Sequence, residues 1–215
     1  AVAFILSGVF SARQGVRNLL NTLDLRNHPI RWYWWLIAVG FYPACIVVGN
    51  AISAAVGLPL PAPKVSGVWY WLTLDVVIMF LYFLIGGGGL EEPGWRGLAL
   101  PHLQKRFSPL RSSLILGVIW AFWHWPVLLP GFQQGGILVV VFFLIQVIPL
   151  AILFTVVFNH TGGSLPVVIL LHASINLTEI YLSISTLASG LWLLLILAAA
   201  VWMWRSPRNF SLRPA

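Results

Sequence analysis

Between Gly136 and Phe158 the chain reads GILVVVFFLIQVIPLAILFTVVF, an apolar run without a charged residue. A helix that crosses the roughly 30 Å hydrocarbon core of a bilayer needs about 20 such residues, and this run supplies them in one piece. The rest of the chain has the same character. Of 215 residues, 60% are hydrophobic and 8% charged, against about a quarter charged in soluble domains. The period-two alternation of a membrane β-barrel is absent. The fold class is therefore all-α, a polytopic transmembrane helical bundle.

Working outward from that run gives about six complete spans: Trp32 to about Val56, Val68 to Leu90, Arg111 to Leu129, Gly136 to Phe158, Leu165 to about Leu187, and Gly190 to Trp204. Ala1 to Phe10 is too short to cross and reads as a truncated N-terminal segment. Ser11 to Arg31 carries Arg13, Arg17, Arg26 and Arg31 against Asp24, the pattern of a basic linker or a helix lying at the bilayer surface. Three parts follow: residues 1–31 as N-terminal segment and linker, 32–204 as the transmembrane helical domain, and 205–215 as a basic tail. No internal repeat is visible. Trp32-Tyr33-Trp34-Trp35 forms an aromatic belt at the edge of the first span.

The net charge of +7 does not point to nucleic acid, because the basic residues are confined to particular loops. Arg96, Lys105, Arg106 and Arg111 follow the second span and Arg205, Arg208 and Arg213 follow the sixth, while the loops on the other side hold only Lys64. Under the positive-inside rule this places both flanking segments in the cytoplasm. The single cysteine, Cys45, sits in an apolar run and reads as a small buried hydrophobe.

Directly after the second span stands Glu91-Glu92-Pro93-Gly94-Trp95-Arg96-Gly97, with two of the five acidic residues of the chain. Ionisable groups at membrane depth are costly unless paired or facing a watery cavity, so they mark a functional site by default. His124 and His172 lie in later apolar helices. His172, Asn176 and Glu179 are spaced i, i+4 and i+7, one polar stripe on an apolar span. Pro126 kinks or weakens the helix just past His124 and can open it to a cavity. At helical rise His172 is ~12 Å beyond Ser164 and His124 is ~20 Å beyond Arg111, so both are within the hydrocarbon layer, though not at equal depth.

A carboxylate kept from bulk water serves as a general base on a water molecule, and imidazoles can share that work. Glu91, His124 and His172 could instead hold a divalent metal, zinc foremost, that supplies hydroxide near neutral pH. The Asn176 amide is a donor for an oxyanion. No serine or cysteine is placed as a nucleophile, so the set points to acyl-bond hydrolysis by activated water. Plainer roles exist: an intramembrane histidine also serves helix packing, and Glu92 with Arg96 forms an i, i+4 pair if the segment is helical through Pro93.

The three motifs Glu91-Glu92-x-x-x-Arg96, Trp120-x-x-x-His124 and His172-x-x-x-Asn176, in this order and spacing over Val68 to Leu187, resemble the CPBP family of intramembrane proteases. That family includes the type II CAAX prenyl endopeptidases and the bacteriocin-processing or bacteriocin-immunity (Abi) proteins. The resemblance implies that Glu91 is the principal glutamate acting on water, with Glu92 assisting it or paired to Arg96. It implies that His124 joins Glu91 in activating water or binding a metal, and that His172 and Asn176 stabilise the oxyanion. The family has been described both as glutamate-dependent and as metal-dependent. Its second motif usually opens on Phe, whereas Trp120 stands here, which implies altered packing with activity kept. Also implied are membrane lipid and a membrane-tethered, prenylated or otherwise hydrophobic peptide as partners. The expected location is a prokaryotic plasma membrane, with the site toward the cytoplasm. Two competing functions are a proton- or ion-coupled transporter, for which Asp75 and Asn50 are the candidates in the outer half, and a non-catalytic bacteriocin-immunity protein.

Overall fold

The computed structural model describes residues 13–27, 30–62, 64 and 69–206. The expected segment Ala1 to Phe10, most of the second half of the Pro-rich loop, and the tail arginines Arg208 and Arg213 lie outside these. Among the described residues every regular element is a helix. In chain order they are α1 over residues 13–21, α2 (Tyr33–Ala55), α3 (Trp69–Ile85), α4 over residues 92–104, α5 (Pro109–Trp123), α6 (Trp125–Gly135), α7 (Ile137–His160), α8 (Leu165–Tyr181) and α9 (Thr186–Arg205).

Local chemistry sets the boundaries. Ser108 caps α5 by accepting a hydrogen bond from the Arg111 N–H, with Pro109 in the first turn where no N–H is needed. Ser185 does the same for α9 through the Ala188 N–H at 3.1 Å. Between α6 and α7 the backbone turns at Gly136, whose φ of 64° and ψ of −153° only glycine adopts readily.

By length and composition, α2, the run Thr73–Gln104, α7 and α9 can each cross a membrane, and α5 with α6 makes a fifth candidate if the bent pair is one span. The protein is a multi-pass membrane protein, with fewer straight spans than six. The third expected span breaks by 70° between α5 and α6, and the fifth is the 17-residue α8, about 26 Å at helical rise. The second runs on past the bilayer-length stretch into the acidic motif.

α2 packs against α8 and α9, α3 against α8, and α5 along α7. Their shared core is built from Ile46, Leu116, Phe154, Phe158, Leu171 and Trp192, each at most 2% exposed. Leu194, Phe142, Trp202 and other large apolar side chains face outward, as lipid-facing surfaces do. α1 docks on this bundle: Leu19 is buried, and the Thr22 carbonyl accepts from the Leu165 N–H at the start of α8. Arg96, grouped by sequence with a cytoplasmic loop, is instead fully buried, so the basic charge between α3 and α5 rests on the exposed Lys105, Arg106 and Arg111.

Candidate active site

After α3 the chain passes through Gly86 and Gly87 into a short 3-10 turn, Gly88–Leu90, and re-enters helix at Glu92. Pro93 falls in the first turn, so it does not interrupt α4. Over Trp95–Ala99 the helix widens to a π turn, in which the Leu100 N–H bonds back to the Trp95 carbonyl. Pro101, which has no N–H, removes a normal i+4 donor just there. Helical spacing through Pro93 puts Glu92 and Arg96 on one buried face. Arg96 Nη1 donates to Glu92 Oε1 at 2.9 Å and Oε2 at 3.1 Å, both side chains having no solvent exposure.

Glu92 also holds His172. The imidazole Nδ1 lies 2.6 Å from Glu92 Oε1, and since the carboxylate can only accept, Nδ1 carries the proton. The Arg96 guanidinium is stacked between the Trp120 ring at 4.8 Å and the Phe154 ring at 4.0 Å. Its Nε and Nη2 donate to no described residue. One carboxylate and two ring faces thus stabilise a cation far from water.

The second glutamate has different surroundings. Glu91 is only partly buried, and its Oε2 accepts the indole N–H of Trp120 at 2.9 Å and of Trp95 at 3.2 Å. Trp120 is the hub of the site: its ring lies 5.3 Å from the His124 ring and 5.6 Å from the His172 ring, both edge-on. His124 is the corner residue between α5 and α6, with φ −81° and ψ 2°, in the bridge region where many site residues are found. Its Nδ1 donates to the Trp120 carbonyl at 2.7 Å, which leaves Nε2 as an acceptor.

A cavity of about 520 Å³ lies between the α5–α6 corner, α7 and α8. His124, His172, Asn176, Glu179 and Gln146 give it polar groups, and Val127, Phe142 and Leu150 belong to its apolar wall. The stripe His172-Asn176-Glu179 expected on α8 does face one space. Glu91 and Glu92 are not in the lining: Glu92 stands behind His172, and Glu91 reaches the cavity wall through Trp120. Among the described residues no three His, Cys, Asp or Glu side chains come together as a metal-holding group. Glu91, His124 and His172 are therefore not set as three ligands, and Arg96 shares the carboxylate nearest His172.

Sequence reading alone did not reveal two supports. One is the pair of indole donors on Glu91; Trp120 in place of Phe supplies an N–H that Phe lacks. Trp120→Phe should therefore keep the ring packing and lose one charge-assisted bond, worth about 1.5–3 kcal/mol. With Trp95 still donating, we expect kcat/KM to fall about tenfold, measured against a folded control. The other is Gly88, where a Cβ would sit 2.2 Å from His172 Nε2, far inside contact distance. Gly88→Ala should displace the imidazole from Glu92 and lower kcat at least tenfold, roughly the cost of misplacing a reacting group by an ångström. Gly94→Ala, where a Cβ meets nothing within 4 Å, should change it less than about twofold. The run Gly86-Gly87-Gly88-Gly89 was the available signal, but it does not say which glycine faces a histidine.

Residues 73–178 match the family model of the type II CAAX prenyl endopeptidases, Rce1-like. The matched segment contains all of Glu91, Glu92, Arg96, Trp120, His124, His172 and Asn176. The chain is also similar to a protein named CAAX prenyl protease 2 from Methanococcus maripaludis, 29% identical over 178 residues. That alignment covers 79% of this chain and 65% of the relative.

Proposed function

We propose that this chain, whose residues 73–178 match the Rce1-like type II CAAX prenyl endopeptidase family model, is an intramembrane endopeptidase. It hydrolyses a peptide bond in a membrane-tethered or lipid-modified peptide, using water activated at Glu91. The observation that carries this is the Trp120 hub, which ties the partly exposed Glu91 to two histidines on the wall of one apolar cavity.

Glu91 Oε1 has no donor among the described residues, so it is open to a water proton. Glu91 takes that proton while His124 Nε2 orients the water, and the water oxygen adds to the carbonyl carbon. The oxyanion takes an N–H bond from the Asn176 amide beside His172, whose ring Glu92 holds in place through Nδ1. As the C–N bond breaks, the proton passes from Glu91 to the leaving nitrogen. Apolar walls favour a substrate delivered from lipid, with prenylated peptides the first class to try. Lys105, Arg106 and Arg111 orient this end of the bundle to the cytoplasm under the charge rule.

The test is purified protein in lipid vesicles with farnesylated and unmodified tethered peptides, in water enriched in oxygen-18. One labelled oxygen should enter the new carboxylate. Because the three candidate ligands do not converge, we expect a chelator to leave the rate unchanged. A rate lost on chelation and restored by zinc would replace this scheme with metal-held water. Proton flux across the vesicle wall without cleavage would make the site a relay instead.

A further inference from the structure

The cavity has a second pole that hydrolysis leaves unused. Glu179 shares the α8 face of His172 and Asn176 and lines the cavity together with Gln146 of α7. Seven residues of helix place it about 10 Å along the axis from His172. Its Oε1 accepts from the hydroxyl of the buried Tyr42 at 3.2 Å, and Tyr42 is itself fixed edge-on against Trp192 at 5.0 Å. No donor among the described residues reaches its Oε2.

Lys64 lies near this carboxylate without pairing with it. Its ammonium donates to the Glu179 backbone carbonyl, and no ion pair joins the two side chains among the described residues. Gln146 is the polar residue in the run Ile137 to Leu153, and its carboxamide has no partner among the described residues. An acidic group in the last turn of a helix is also disfavoured by the helix dipole. A carboxylate and a carboxamide aimed into an apolar cavity at membrane depth call for a donor from outside. Glu179 lies one residue beyond the segment that matches the family model.

We propose that Glu179 and Gln146 form a substrate subsite for a basic side chain, an ammonium or guanidinium group, on the peptide cut near His172. This rests on the peptidase function proposed above. The cation pairs with the open Glu179 oxygen, and the Gln146 carbonyl accepts a second N–H. An extended peptide advances about 3.3 Å per residue, so ~10 Å puts the basic residue about three positions from the scissile bond.

The test uses the full chain in vesicles and tethered fluorogenic peptides that carry Lys, Leu or Glu three residues to either side of the cleaved bond. On one side the wild type should favour Lys over Glu by at least about tenfold in kcat/KM, and Glu179→Gln should bring that ratio to about twofold or less. A wild-type ratio near one, or an undiminished ratio in Glu179→Gln, overturns the subsite while cleavage still supports the peptidase. Anisotropy of the same labelled peptides on Glu91→Gln reads binding without turnover. A tenfold binding preference for Lys with no cleavage by the wild type keeps the subsite and overturns the peptidase; neither cleavage nor preference overturns both.

Discussion

Replacing Arg96 by Met should destabilise the protein by about 3–5 kcal/mol, the cost of leaving one partner of a buried ion pair uncompensated. The magnitude follows from the burial of both groups. Arg96 and Glu92 have no solvent exposure, and Glu92 would keep only the His172 imidazole as a donor. Methionine fills much of the space between Trp120 and Phe154, so lost packing is the smaller part. Arg96→Lys is not a conservative remedy, since a point-like ammonium cannot span both carboxylate oxygens or stack between two rings. The double variant Glu92→Met with Arg96→Met should lose less stability than Arg96→Met alone, because no charge is stranded. Reversible unfolding in mixed micelles reads all of these. Equal stability of Arg96→Met and wild type would mean that the pair is not closed in the membrane.

Glu91→Gln should produce the opposite profile. The amide oxygen can still accept the indole N–H groups of Trp95 and Trp120, so stability should stay within about 1 kcal/mol, as for a partly exposed polar exchange. The base is gone, and kcat should fall by about 10²- to 10⁴-fold with KM changed only a few-fold. Glu92→Gln should combine a smaller loss of kcat with a clear loss of stability, since it removes the charge facing Arg96 and the acceptor that orients His172. The two neighbouring glutamates thus separate experimentally: one changes rate without stability, the other changes both. The difference arises from position, Glu91 at the start of the helical run and Glu92 on its buried face.

Much of the fold was legible because bilayer thickness imposes length. The apolar runs of α2 and α7 were found to within two residues, whereas α9 begins at Thr186, four residues before the expected Gly190. Span count was less legible, because a 70° break needs only a few residues. Pro126 signalled it, but whether the two halves form one crossing is decided by packing of α5 along α7. Within the site, the i, i+4 and i+7 stripe of α8 was readable from period alone. The Glu92–Arg96 pair was readable from i, i+4 spacing, given helix through Pro93, whereas the contact of Glu92 with His172 was not, because it requires the close approach of α8, eighty residues away in sequence. Nor could sequence show that Trp120 reaches Glu91, twenty-nine residues distant, with an N–H that Phe would lack.

The most direct test is cleavage of a panel of membrane-tethered fluorogenic peptides by purified wild type, Glu91→Gln and His124→Ala, each shown to be folded by its unfolding midpoint. Wild type should cut at least one peptide at a single bond, while both variants lose at least about a hundredfold in rate. Variants that cut as fast as wild type would contradict this and move the chemistry away from the Trp120 hub.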